Sequence, residues 1–295
     1  MFRGELPGLV FAAILLLSMA ASVTIAQEGT LPTIRQDVRE GTPSGPASPP
    51  PSDSPAKSTA ADECDWANFL LSDSSVFFGS LILAGTAVSS PIWVPHALLQ
   101  DEDFTSSGYF PPFPYDDLSG YIQSHDIATR TKPWAVRMDA EYVDTFDRLD
   151  NVIGGHLLVE TAPRFGLAAS FNHLEENLSG GGRDELQIGD CNLVYRFAQS
   201  DWAEFRTGLG ANWMSDSSRA DLGFNFTYAA DIFPRKPCVV SAAIDWGTLG
   251  HAELLRFRTT AGLVFHGVET YAGYEYTDIG SAHWNGLIAG LRFWF

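Results

Sequence analysis

Arg137, Asp139 and Glu141 stand two residues apart, as do Glu204 and Arg206, and Arg256 and Arg258. On an extended chain that spacing puts side chains on one face. Glu160, Asp190, Arg196, Asp221, Asp231, Asp245, Glu269, Glu275 and Arg292 fall on the corresponding face of their own segments. Buried charges have to be paired, and the arginine fork suits bidentate pairing with carboxylates on neighbouring strands. A face of this kind either fills an interior with locked ion pairs or lines a narrow path for ions and small solutes. A second set, His173, His251 and His283, lies in or near connections with Asp216, Glu253 and Asp278. A histidine beside an acid can activate water. Neither GxSxG nor HExxH occurs, and the three histidines are far apart in sequence, so no catalytic residue, metal site or cofactor is expected.

The elements that must position these charges are read from period-two alternation. Ten runs show it: residues 134–142, 152–161, 165–172, 185–197, 202–213, 220–232, 238–246, 254–265, 268–277 and 284–295. Each is close to the roughly 9 to 11 residues a tilted strand needs to cross hydrocarbon. The number is even. Longer polar connections such as HLEENLSGGGRD alternate with short ones such as AP and HG, which is the pattern of outer loops and inner turns. The fold class is therefore all-β, an antiparallel up-and-down transmembrane barrel of about ten strands over residues 132–295, with twelve as the alternative.

One face of the runs is bulky: Trp134, Val136, Met138, Ala140 and Tyr142, or Leu222, Phe224, Phe226 and Tyr228. The other carries the charges with Gly208, Gly210, Gly223 and Gly262. Glycine suits a narrow interior crowded by long side chains from opposite strands. An arginine on the lipid face near the midplane costs roughly 2 to 4 kcal/mol, so the charged face points inward. Trp213, Trp246 and Trp284, with Phe165, Tyr195 and Phe197, are expected as the two interfacial aromatic girdles.

The last run, WNGLIAGLRFWF, ends on Phe295. It resembles the closing strand of Gram-negative-type outer-membrane β-barrels, and that resemblance covers about residues 132–295. It implies that Phe295 is the signal read by the barrel-assembly machinery, and that outer-membrane lipids are the surroundings. SPIWVPHALL, FPRKP and DWGTLGH are similar to segments of exported proteins of planctomycete-type bacteria.

Residues 9–26 form an apolar run before Gln27, read as an export signal spanning residues 1–26. Residues 27–61 are rich in Pro, Ser, Thr and Gly and read as a disordered linker. Residues 62–131 are expected to be partly helical and to pack on the periplasmic mouth or enter the lumen, with both chain ends periplasmic. Cys64 and Cys238 would share that compartment and could form a disulfide, whereas Cys191 reads as a lipid-facing apolar residue.

A net charge of −18 and a pI near 4.6 exclude a nucleic-acid binder. No defined small-molecule ligand is implied. Ten strands leave a tight interior, since open aqueous channels belong to about 16 strands or more. A structural or anchoring barrel with a plugged lumen is the first expectation, a narrow passive pore the second, and a hydrolase on the outer rim the third.

Overall fold

The computed structural model describes residues 29–42, 91–92, 94–99, 107–116, 118–123, 130–146, 149, 151–178 and 182–295. The expected export signal lies outside them. Ten strands follow one another: β1 (Trp134–Thr145), β2 (Asn151–Thr161), β3 (Phe165–Asn177), β4 (Arg183–Ser200), β5 (Ala203–Ser215), β6 (Ala220–Arg235), β7 (Cys238–Leu249), β8 (Ala252–Phe265), β9 (Val268–Ile279) and β10 (Ala282–Trp294). Each pairs antiparallel with its sequence neighbours, and β1 pairs with β10 to close the barrel. Closure leaves no edge for further strands, so the twelve-strand alternative is excluded.

Register follows from the burial of one face. In β8, residues from Ala252 to Phe265 alternate strictly between covered and open environments, with Leu254, Arg256 and Arg258 inside and Leu255 and Leu263 outside. A slip of one residue would reverse every one of these. Short turns hold the alignment. Between β8 and β9, His266 and Gly267 both have positive φ, 50° and 82°, as a two-residue turn matched to strand twist requires.

Two mouths result. The loop mouth carries the β1–β2, β3–β4, β5–β6, β7–β8 and β9–β10 connections. The terminal mouth carries the start of β1, the other four connections and Phe295.

One helix, α1 (Thr30–Glu40), sits in the loop mouth. This corrects the reading of residues 27–61 as a disordered linker throughout. The stretch TLPTIRQDVRE places Leu31, Ile34 and Val38 on one face, and all three are fully buried against the barrel. An isolated helix of this length is marginal in water; the barrel supplies what it lacks. Residues 29–42 lie at the loop mouth and Phe295 at the terminal mouth.

Candidate functional site

The lumen is layered. At the terminal mouth, residues 107–116 and 118–123 fold over the opening. Their backbone is tied to the rim by Gly108 N donating to Ala162 O (3.0 Å), Tyr121 N to Asp201 O (3.2 Å) and Phe110 N to Lys132 O (2.9 Å). Phe110, Tyr121 and Ile122 are buried with Phe233, Val264 and Trp294. Tyr121 meets Trp294 edge-on, with ring centroids 4.7 Å apart.

The middle layer is ionic. Arg258, from β8, donates to Glu141 on β1 (2.6 Å), which also accepts from Tyr271 Oη (2.8 Å) and lies 2.8 Å from His156 Nε2. Arg292 donates to Asp139 and Glu269, both at 3.0 Å. Arg196 pairs with Glu160 (2.9 Å), Arg206 with Asp231 (2.5 Å) and Glu204, and Arg137 with Asp231 (2.7 Å). Arg256 reaches Asp190 at 3.2 Å and Asp245 at 3.8 Å. Glu275 is buried directly across from Arg258 on the adjacent strand. Thus fifteen of the sixteen charges read onto the inward face lie in the lumen, whereas Asp221 stands at the loop mouth and pairs with Arg39 of α1.

Such pairing does not by itself stabilise a fold relative to an apolar core, but breaking one partner of a buried pair costs about 3 to 5 kcal/mol. The network therefore specifies one arrangement of strands. Small residues make room for it. A Cβ at Gly290 would stand 2.6 Å from the Tyr271 ring, which packs under the Arg292 guanidinium at 4.7 Å. Two cavities in this layer, of about 80 and 100 Å³, share Arg137, His156, Arg206 and Arg258 in their walls. Each has room for a handful of waters.

The layer beneath the loop mouth is apolar: Val143, Leu174, Leu186, Met214, Leu254, Ile279 and Ile288 form one cluster with the buried face of α1. Trp284 belongs to it at 3% exposure, so it is not a girdle residue. Its even position puts it on the same face as Gly286 and Arg292, and that face is inward.

Helix α1 is held at every edge. Gly29 offers no side chain to cap the helix start, and Glu176 of β3 does so instead, accepting from Thr30 N (2.8 Å) and Leu31 N (2.9 Å). Arg35 pairs with Asp184 (2.6 Å) and Asp216 (2.9 Å), and Arg39 with Asp216 (2.9 Å) and Asp221 (3.1 Å). Asp37 accepts from Ser281 N (2.7 Å) and Ser281 Oγ (2.6 Å). Val38 O accepts from His251 N at 2.9 Å. Gly250 and Gly280, both at positive φ, let the turns come this close: a Cβ at Gly250 would lie 2.3 Å from Val38 O. Burial pushes the Asp216 carboxyl up, but hydrogen bonds from Arg39 and Ser218 outweigh it and hold the group well below the usual carboxylate range. The hydrogen bond to Asp184 raises Arg35, and that to Asp216 raises Arg39.

Sequence reasoning missed this clamp. The signal was present in the apolar spacing of Leu31, Ile34 and Val38 and in the Arg35 and Arg39 pair one turn apart, inside a stretch dominated by linker composition. Of the rim set, Asp216 is taken by the two arginines. His283 stands opposite Asp278 in the β9–β10 register. His173 joins Glu175 and Glu185, with donor atoms within 4.8 Å of one another, apart from His251 and His283. Cys191 is exposed on the wall and Cys238 is exposed at the start of β7; Cys64, which the expected disulfide needs, lies outside the described residues.

The outer wall decides the medium. Outward positions from Leu255 to Phe265 on β8, from Leu222 to Ile232 on β6 and from Leu287 to Phe295 on β10 carry no charge. Leu193, Leu222 and Trp246 are 63, 69 and 64% exposed. Among the described strand positions, the outward acids Asp144, Glu175, Glu185, Glu253 and Asp278 stand near the loop mouth. An uncharged apolar belt running round a closed barrel is a lipid-facing surface. The protein is a transmembrane-type β-barrel. Among the described residues no helix is long and apolar enough to cross a bilayer. Phe197 departs from the expected girdle: it is covered by residues 91–99 rather than left open.

No family model and no curated protein matches the chain. Among solved structures, similarity of fold extends to the N-terminal β-barrel domain of Pseudomonas aeruginosa OprF (10% identity, 55% of this chain and 97% of that one, TM-score 0.29). It extends also to the Yersinia pestis outer membrane protein Ail (12%, 55% and 99%, TM-score 0.31) and to the β domain of the Bordetella autotransporter BrkA (13%, 55% and 98%, TM-score 0.32).

Proposed function

We propose that this protein is an outer-membrane barrel that serves as a sealed structural or anchoring unit, with the end of β10 facing the periplasm. The observation that carries this reading is closure at both mouths, by α1 on one side and residues 107–123 on the other. Burying Leu31, Ile34 and Val38 alone is worth on the order of 5 kcal/mol, before the arginine clamp is counted, so α1 acts as a fixed stopper. A ten-stranded lumen has little free width to begin with, and here guanidinium–carboxylate pairs span it.

A narrow passive pore is the second reading, favoured by the two cavities along the ionic layer. Efflux from liposomes separates the two. Vesicles loaded with a small dye or with chloride should retain their contents when the intact protein is reconstituted. Release proportional to the amount of barrel inserted would replace the sealed reading with the pore.

A further inference from the structure

We propose that residues 91–92 and 94–99 form an interfacial helical segment that docks on the outside of the barrel and contacts the acyl chains of the leaflet at the terminal mouth. The proposal rests on the membrane reading of the wall and adds a lipid-binding element that is not a strand.

Residues 91–92 and 94–99 are helical. Pro95 and Leu99, one turn apart, face the barrel and are buried. Leu99 packs with Phe197, Ala198 and Ala203, and Tyr195, Phe205, Tyr228 and Ile232 surround that contact. The Tyr228 hydroxyl donates to Pro91 O at 2.7 Å. These wall residues belong to the ends of β4, β5 and β6 nearest the terminal mouth. A β-bulge between Arg196 and Ala198 prepares the seat. The extra residue is Phe197, stacked near Tyr228 and Phe205 (centroids 5.6 and 6.2 Å) outside the wall, while Arg196 turns in to Glu160.

The opposite face of the helix is uncovered. Ile92 is 49% and Leu98 65% exposed. Residues 91–99 contain no Asp, Glu, Lys or Arg. A helix apolar on both faces belongs where both are dry. What covers the open face is set by continuity: the helix lies on the uncharged belt that lipid already covers, level with Phe165 and Trp202 at the same end, which are themselves exposed. Acyl chains that wet Leu193 and Phe165 continue over Ile92 and Leu98.

The test uses the full chain with its native cysteines replaced by serine and one bimane label, in nanodiscs with or without brominated lipids. Labels go at Leu98→Cys, at Leu193→Cys on the wall, and at Gln36→Cys on the water-facing side of α1. Quenching at Leu98 comparable to that at Leu193, with none at Gln36, is the expected result, and bromines placed near the headgroup should be the more effective at Leu98. Quenching at Leu193 but not at Leu98 would overturn the proposal and leave the barrel's membrane reading intact; residues 91–99 would then lie in water or under another protein. Absence of quenching at both positions would overturn the membrane reading as well.

Discussion

Glu141 on β1 and Arg258 on β8 meet across the lumen, with Arg258 Nη1 2.6 Å from Glu141 Oε1 and a second guanidinium nitrogen on the other carboxylate oxygen. The two strands are not neighbours in the sheet but stand three apart around the barrel, so this pair ties separate parts of the wall. Tyr271 and His156 bind the same carboxylate. Replacing only Glu141 by Gln leaves a buried guanidinium short of its partner and should cost about 3 to 5 kcal/mol. Replacing both, as E141L/R258M, should cost much less than the sum of the single changes, since the uncompensated charge disappears. Reversible urea unfolding in detergent of E141L, R258M and the double variant measures the coupling; a double-variant cost equal to the sum of the two single costs would show that the pair is not coupled.

The stopper should depend on its arginines. R35A/R39A removes both arginine partners of Asp216 while leaving Leu31, Ile34 and Val38 in place, so α1 should remain seated but open more often. Each partly exposed pair contributes at most about 1 kcal/mol, which sets the expected shift. Hydrogen exchange of the amides from Thr33 to Val38 reports it: exchange should speed up in α1 with no change in β1 to β10.

Acid should loosen the same contact. The Asp216 carboxyl titrates lower in the folded protein than in the unfolded chain, where its value is about 3.9, so folding favours its ionised form. Its contribution is complete above about pH 4 and is lost as the pH falls through the native value. Exchange in α1 should therefore respond to Asp216 only below about pH 4, and D216N should abolish that part of the acid response. A comparable response between pH 5 and 8 would show that another group controls the helix.

Two tryptophans give an optical check of the inward and outward faces. Trp246 stands on the open wall and Trp284 inside the apolar layer under α1. In brominated lipid, W246F should remove more of the quenchable emission than W284F. The reverse ranking would place β10 in the wrong register.

Much of the barrel was legible because a strand between two media writes its faces into alternate residues. Arg256, Phe257 and Arg258 admit only one register, and Leu287, Leu291 and Phe295 admit only one outward face. The same rule assigns Trp284 inward, but its place near a strand end made an interfacial anchor look equally suitable. What alternation cannot show is contact between parts far apart in the chain. Glu176 caps α1 across 145 residues (Leu31 N to Glu176 Oε2, 2.9 Å), while Asp184 and Asp216 read in isolation as loop acids and Asp221 as one more interior charge. Residues 107–123 carry the prolines that suppress regular structure, so their aromatic packing over the terminal mouth left no periodic trace.

The central claim is that the barrel spans the membrane with both mouths shut. Planar-bilayer recording of the intact, purified protein tests it most directly. The account predicts stable insertion with no discrete conductance steps over many insertions, under either polarity. Regular open-channel steps from the intact chain would contradict it, because ions would then be passing α1, the ionic layer and residues 107–123 together.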